Sequence, residues 1–201
     1  MIKNVVFDFG QVLVHFEPDY MVTRYVEASE DAELLSKVIF DRLYWDRLDE
    51  GTITDEEVVR ACIERLPERL HRFVPTIYYN WIYNIPEMEG MSELIDHIKE
   101  RYGVRVYLLS NISRYFAEHR EEVPVLSKMD QCFFSALCGC VKPHRAIFEH
   151  LCKEGQIVPE ETLFIDDNLN NIKGAEEVGI TGYCFDGDAD ALRTYLDRLL
   201  K

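Results

Sequence analysis

The sequence predicts an α/β fold: a parallel sheet with helices on both faces, interrupted near its start by an inserted small all-helical unit. Three observations predict it. The apolar runs Val5-Val6-Phe7, Val106-Tyr107-Leu108-Leu109 and Leu163-Phe164-Ile165 have the unbroken hydrophobicity of strands buried on both faces. From Pro86 onward such runs alternate with stretches of helical period, as in strands joined by crossover helices. Between Asp19 and about Ile85, by contrast, the pattern is helical, rich in aromatics and free of strand alternation.

Each element has its own signal. Val5 to Phe7 form the first strand, which ends in Asp8, and Val14-His15-Phe16-Glu17-Pro18 reads as a linker. Helices are expected over Asp19 to Ala28, Asp31 to Asp41, Thr54 to Leu66 and Glu68 to Tyr83. The third opens on Thr54-Asp55-Glu56-Glu57, a capping box whose hydroxyl and carboxylate satisfy exposed amides. Then follow helix Met91 to Tyr102, strand Val104 to Ser110, helix Arg114 to Glu122, strand Cys132 to Leu137 and helix His144 to Glu154. Strand Thr162 to Ile165, helix Leu169 to Val178, strand Ile180 to Phe185 and helix Ala189 to Leu200 complete the chain. The expected organisation is a core of residues 1–15 and 86–201 with an insertion of residues 16–85.

Composition bounds the function. The chain has 201 residues, 47% hydrophobic and 29% charged, enough for one full domain and an insertion. Its 37 acidic against 22 basic side chains give a net charge of -15. Such a field repels nucleic-acid backbones and anionic membranes, and no basic patch offsets it, so neither is an expected partner. No window reaches membrane-span length and no basic-then-apolar leader precedes the first strand, so the expected location is cytoplasmic. The six cysteines are scattered, mostly in apolar runs, which suits reduced thiols, and Cys138-Gly139-Cys140 lacks the second pair of a zinc site.

Four strand ends carry polar groups. Asp8 follows the first strand; an ionised acid there needs water, a metal or a positive partner, although an Asp also opens turns. Ser110-Asn111 end the second and offer a hydroxyl, an amide and backbone N–H groups for phosphate oxygens, or equally a helix cap. Lys142 precedes a helix and can neutralise a phosphate, with Pro143 expected in that helix's first turn. Asp166-Asp167 are adjacent acids that repel unless a cation lies between them, and with Asp8 they supply hard oxygen ligands suited to Mg2+. A parallel sheet brings all four to one edge.

Asp, then Ser-Asn, then Lys-Pro, then Asp-Asp, in that order, resembles the four motifs of the haloacid dehalogenase-like hydrolase superfamily. The resemblance implies a Rossmann-like core with a small helical cap, and a Mg2+-dependent phosphatase of small phosphorylated metabolites. By the same resemblance Asp8 is the nucleophile that takes up the phosphoryl group, and the Gly10 carbonyl is a metal ligand. Ser110 and Asn111 hold phosphate, Lys142 balances charge, Asp167 binds Mg2+ directly, and Asp166 binds through water or assists.

One position departs from the pattern. Most phosphatases of the superfamily have a second Asp two residues after the nucleophile, which protonates the leaving alcohol and later activates water. Here that residue is Gly10, which has no proton to give. The Asp-Phe-Gly-Gln-Val-Leu pattern resembles the branch containing α-D-glucose-1-phosphate phosphatases, and an anomeric hydroxyl leaves more readily than an ordinary alcohol. Two alternatives stand beside a sugar 1-phosphate: a non-catalytic binding or regulatory member, and a 2-haloacid dehalogenase, which would not need Asp166-Asp167.

His15, just past the first motif, is either a substitute acid or a hinge residue. Substrate choice should come from the cap, where Tyr44 and Trp45 are candidates for contacting a sugar, while Tyr78 to Tyr83 read as cap packing. Asp186-Gly187-Asp188-Ala189-Asp190 has the alternating acids of a calcium loop, but Ala191 and Asp197 stand where such a loop needs Gly and Glu; these acids are expected to cap the last helix.

Overall fold

The computed structural model describes residues 1–83 and 85–201; residue 84, within the expected insertion, lies outside them. Among the described residues five strands, β1 (Asn4–Phe7), β2 (Arg105–Ser110), β3 (Gln131–Phe134), β4 (Thr162–Asp166) and β5 (Thr181–Cys184), form one sheet. Their order is β3-β2-β1-β4-β5, and every pairing is parallel. Helices α1 (Pro18–Thr23), α2 (Ser29–Ile39), α3 (Arg42–Asp49), α4 (Asp55–Arg65) and α5 (Phe73–Asn80) follow β1 in the chain. The rest are α6 (Met91–Tyr102), α7 (Arg114–Glu118), α8 (Ser135–Cys138), α9 (Arg145–Gly155), α10 (Leu169–Glu176) and α11 (Ala189–Leu199).

Successive side chains of the inner strands β1, β2 and β4 alternate between two buried faces. Val5, Phe7, Val106, Leu108, Leu163 and Ile165 pack with Leu94, Ile95 and Ile98 of α6 and with Leu192 and Leu196 of α11. Val6, Tyr107, Leu109, Phe133 and Phe164 pack on the other side with Ile147, Phe148 and Leu151 of α9 and with Ile172 and Ala175 of α10. Each fully buried aliphatic or phenyl side chain stabilises the fold by about 1.5–3 kcal/mol, so both layers are needed to hold the sheet.

The inserted helices have a cluster of their own, with Val22, Leu35, Ile39, Leu48, Val58, Cys62, Val74 and Ile77 at its centre. The chain leaves the sheet and returns side by side, His15 N donating to Pro86 O at 2.8 Å and Met88 N to Leu13 O at 2.8 Å. His15 therefore sits in the paired connection between cap and core. The Thr54 capping box is present in full, Glu57 N donating to Thr54 Oγ1 at 3.2 Å and Thr54 N to Glu57 Oε2 at 2.9 Å.

Several boundaries differ from the expected ones for local reasons. The Glu68–Tyr83 segment is a 3-10 turn (Glu68–Leu70), then α5, then a second 3-10 turn (Trp81–Tyr83). Pro75 has no N–H to bond the carbonyl of His71, so the α-helix starts at Phe73, where Pro75 falls in the first turn. β3 stops at Phe134 and α8 takes over, with the Ser135 hydroxyl accepting from Ile112 N at 2.9 Å. α9 begins at Arg145 with His144 as its N-cap, so Pro143 lies before the helix rather than in its first turn. Asp188 caps α11, accepting from Ala191 N at 2.9 Å, as expected of that acidic loop.

One glycine fixes how the helices meet the loop that precedes α9. A Cβ on Gly174 of α10 would lie 2.2 Å from the carbonyl oxygen of Pro143 and 3.0 Å from Phe148 Cε2. Backbone cannot yield as a flexible side chain does, so Gly174→Ala is expected to destabilise the protein by about 2 kcal/mol or more. A drop of roughly 5 °C or more in Tm by calorimetry checks this; an unchanged Tm would show that α10 and the loop separate freely.

Candidate active site

The carboxyl edge of the sheet opens into a cavity of about 760 Å³, lined by Asp8, Gly10, Ser110, Lys142 and Asp167 from the core and by Trp45 and Asp49 from α3. The register explains the convergence. Phe7 of the central strand pairs with Leu108 and Ile165, so Asp8 emerges between the ends of β2 and β4, with its N–H donating to Ile165 O at 2.9 Å. Open parallel sheets place ligands at this edge, where the strand order reverses about the first strand.

Lys142 is the centre of the floor. Its side chain is 2% exposed, and Nζ lies 2.6 Å from Asp8 Oδ1 and 2.7 Å from Asp166 Oδ2. The loop carrying it is pinned by Asn111, whose Oδ1 accepts from Lys142 N at 2.8 Å while its Nδ2 donates to Lys142 O at 3.0 Å. The Asn111 carboxamide thus braces the lysine backbone, and both Ser110, which is buried, and Asn111 line the cavity.

Asp166 is fully buried and its oxygens are occupied. Oδ1 accepts from Asn168 N at 2.8 Å and Asn171 Nδ2 at 3.0 Å, and Oδ2 from Lys142 Nζ at 2.7 Å and Asn171 Nδ2 at 3.0 Å. Its geometry is that of an anchor for the lysine. Asp167, the next residue, is exposed to the cavity. One carboxylate oxygen from each of Asp8, Asp166 and Asp167 lies within 4.8 Å of the others, a cluster able to hold a metal ion.

The electrostatics follow from this burial. Desolvation pushes the Asp8 carboxyl up to about 7, against the attraction of Lys142 and with a further push from Asp166. Lys142 is itself held above its ordinary value, because the two carboxylates outweigh its own desolvation. Desolvation and the neighbouring Asp166 also raise Asp167. On the cap side, burial pushes Asp49 up to about 7, opposed by Arg42.

The cap contributes differently from expectation. Trp45 lines the cavity, 8% exposed, with Nε1 donating to Ile39 O at 2.8 Å. Tyr44 does not share that role: it packs at the edge of the cap's own cluster, with the Arg65 guanidinium 5.4 Å above its ring. Neighbouring helical residues point about 100° apart, so only one of the pair can face the cavity. Trp81, expected as cap packing, also lines the cavity and stacks on Phe116 of the core at 5.4 Å and 15°. Phe16 meets Trp45 at 5.5 Å and Trp81 at 5.4 Å, which makes an aromatic bridge from the connection to both layers. Asn171 and Asp49 escaped the sequence reading altogether. A polar residue in the first turn after Asp166-Asp167 was the available sign for Asn171; Asp49 has no local sign.

The relatives agree with this architecture. A D-ribitol-5-phosphate phosphatase of Bacteroides thetaiotaomicron is 26% identical over 198 residues, covering 94% of this chain and 95% of its own. A sesquiterpene phosphatase of Aspergillus oryzae is 28% identical over 181 residues, covering 90% and 88%. Among solved structures, a haloacid dehalogenase family enzyme of B. thetaiotaomicron in complex with magnesium and inorganic phosphate superposes with a TM-score of 0.71, at 21% identity over 96% of this chain and 99% of that one; at that identity the likeness is one of fold. Residues 2–179, from β1 to the end of α10, match the model of the haloacid dehalogenase-like hydrolases, and the chain belongs to that family.

Proposed function

We propose that this protein is a Mg2+-dependent phosphatase of small phosphorylated metabolites that works through a phosphoryl group transferred to Asp8. The observation that carries the reading is the buried Lys142 ammonium held between Asp8 and Asp166 on the cavity floor. An anionic carboxylate attacks an anionic phosphate only where positive charge screens the two, and this ammonium is fixed at that place in advance. Ser110 is the side chain positioned to bind phosphate oxygens, while Asn111 and Asp166 position the lysine.

The donor set fits a hard divalent cation: Asp8, Asp167, the carbonyl of Gly10 and, through its position, Asp166. Bound there, Mg2+ would supply charge neutralisation for the phosphate. Residues 16–85 are read as a cap and residues 1–15 and 86–201 as the core. Trp45, with Trp81, is the cap's contact with the organic part of the substrate.

For the substrate, the relatives that act on an alditol phosphate and on a sesquiterpene support a small phosphorylated molecule. The Asp8-Phe9-Gly10-Gln11-Val12-Leu13 pattern, which resembles the branch containing α-D-glucose-1-phosphate phosphatases, favours a sugar 1-phosphate. A screen of phosphate release with Mg2+ and with EDTA tests both levels. Release in Mg2+, lost in EDTA and highest on sugar 1-phosphates, is the expected result. Best turnover of sugar 6-phosphates would remove the 1-phosphate assignment, and no release from any ester would remove the phosphatase.

A further inference from the structure

Resting on the phosphatase reading, we propose that Asp49, at the end of cap helix α3, is the catalytic acid and base: it protonates the departing oxygen and then deprotonates the attacking water.

Asp49 lines the same cavity as Asp8, Gly10 and Lys142 yet is only 5% exposed. Its Oδ1 is buried with no hydrogen-bond partner among the described residues. A buried polar oxygen left unpaired is unfavourable by about 1–3 kcal/mol, and more if charged, so a place at the cavity wall points to a partner that arrives with the substrate. The charges that face it are few: Arg42, Asp46 and Glu50 from its own helix and end, and Lys142 across the cavity. Arg42 is itself paired with Asp46.

The position is held from two sides. Gly51, with φ +68°, brings the end of α3 onto α8 so closely that a Cβ there would lie 2.8 Å from Ala136 O. One turn earlier, Trp45 sits among Phe16, Phe40 and Trp81 with ring centroids 5.3–5.8 Å away. The other titratable groups on the cavity wall suit the task less. Asp8 is the nucleophile, Asp167 belongs to the oxygen cluster, and His144 and Glu177 are exposed. A carboxyl pushed up to about 7 by burial populates both the acid and base forms near neutrality.

The steps balance. Asp8 forms a bond to phosphorus as the bond from phosphorus to the alcohol oxygen breaks; the departing oxygen keeps that electron pair and takes the proton of Asp49. Water then loses a proton to the Asp49 carboxylate, and its oxygen bonds to phosphorus. The acyl phosphate bond breaks with its electron pair returning to Asp8, leaving inorganic phosphate and Asp49 protonated again.

The test compares wild type, Asp8→Asn and Asp49→Asn in Mg2+ on alkyl phosphates and on p-nitrophenyl phosphate, whose leaving group needs no proton. For Asp49→Asn, alkyl phosphate turnover is expected to fall about 10²–10⁴-fold. p-Nitrophenol should instead appear in a fast burst of about one equivalent per site, followed by slow turnover, with phosphorylated protein visible by intact mass. Asp49→Ser should do the same, so the result does not hinge on one replacement. An equal loss on both leaving groups without a burst, or no loss, overturns the role of Asp49 and leaves the phosphatase reading intact. A wild type that hydrolyses none of these esters overturns the phosphatase reading, and an Asp8→Asn protein as active as wild type overturns its route through Asp8; either result removes this role with it.

Discussion

Asp8→Asn is expected to lower phosphatase turnover by about 10⁴-fold or more while raising the stability of the fold. The two effects share one cause. An amide lacks the charge and the oxygen nucleophile needed to form the acyl phosphate, so the covalent route closes. The same charge is unfavourable for folding: the Asp8 carboxyl is pushed from 3.8 to about 7, a balance that already includes its attraction to Lys142. Below pH 3.8 the acid is protonated in folded and unfolded chains alike, and the substitution should change little. Between 3.8 and about 7 the unfolded chain gives up a proton that the folded chain retains, so ionisation favours unfolding, and above 7 the penalty is complete. The advantage of Asp8→Asn should therefore grow from pH 4 to pH 7 and then level off, reaching several degrees in Tm. Melting curves in EDTA across that range measure it. A variant less stable than wild type at pH 7.5, or a difference that ignores pH, would contradict the electrostatic account.

The parts of this site that were legible in the sequence are those a parallel sheet determines. Asp8, Ser110 and Asp166-Asp167 stand at the ends of apolar runs, and register brings those strand ends to one edge, whereas Lys142 reaches it through α8 and the loop that Asn111 pins. What escaped depends on contacts far along the chain. Asn111 and Lys142 are 31 residues apart, and nothing near either residue shows that the carboxamide braces the lysine. Asp49 is harder still. It and Asp46 are both acids on the charged helix Arg42–Asp49, but Asp46 is exposed and Asp49 buried, because the inner face of that helix carries Trp45, Leu48 and Asp49. α3 itself was missed because half its residues are charged and its cap, Asp41, which accepts from Leu43 N at 3.0 Å, looks like the end of the preceding helix. The cap was thus visible as helical, while the side chains it turns toward the core were not.

Lys142→Met should remove the positive charge with little change in volume, and the expected result is a protein whose Tm falls by roughly 10 °C near pH 8 and by a few degrees less near pH 5. Removing one partner from a buried ion group typically destabilises by about 3–5 kcal/mol, because the remaining charge is left uncompensated. Here Asp8 and Asp166 would face each other with no ammonium between them. Without it the folded-state value of Asp8 rises further above about 7, so the loss relative to wild type grows above pH 7, where folded wild type releases the Asp8 proton and the folded variant retains it. Lys142 in the wild type is held above its ordinary value, so its own stabilising contribution is constant between pH 5 and 8; the widening gap belongs to Asp8. Activity should fall about 10²–10³-fold or more, since the charge that screens phosphate from Asp8 is gone. Lys142→Arg should not restore it, because a planar guanidinium on a longer stem does not place a compact ammonium between Asp8 and Asp166 at the 2.6 and 2.7 Å that Nζ keeps. Adding Asp8→Asn to Lys142→Met removes one of the two unpaired carboxylates and should recover much of the lost Tm, a coupling expected of groups in direct contact. A gap of constant size from pH 5 to 8, or a double variant no more stable than Lys142→Met, would place the loss in packing rather than in unpaired charge.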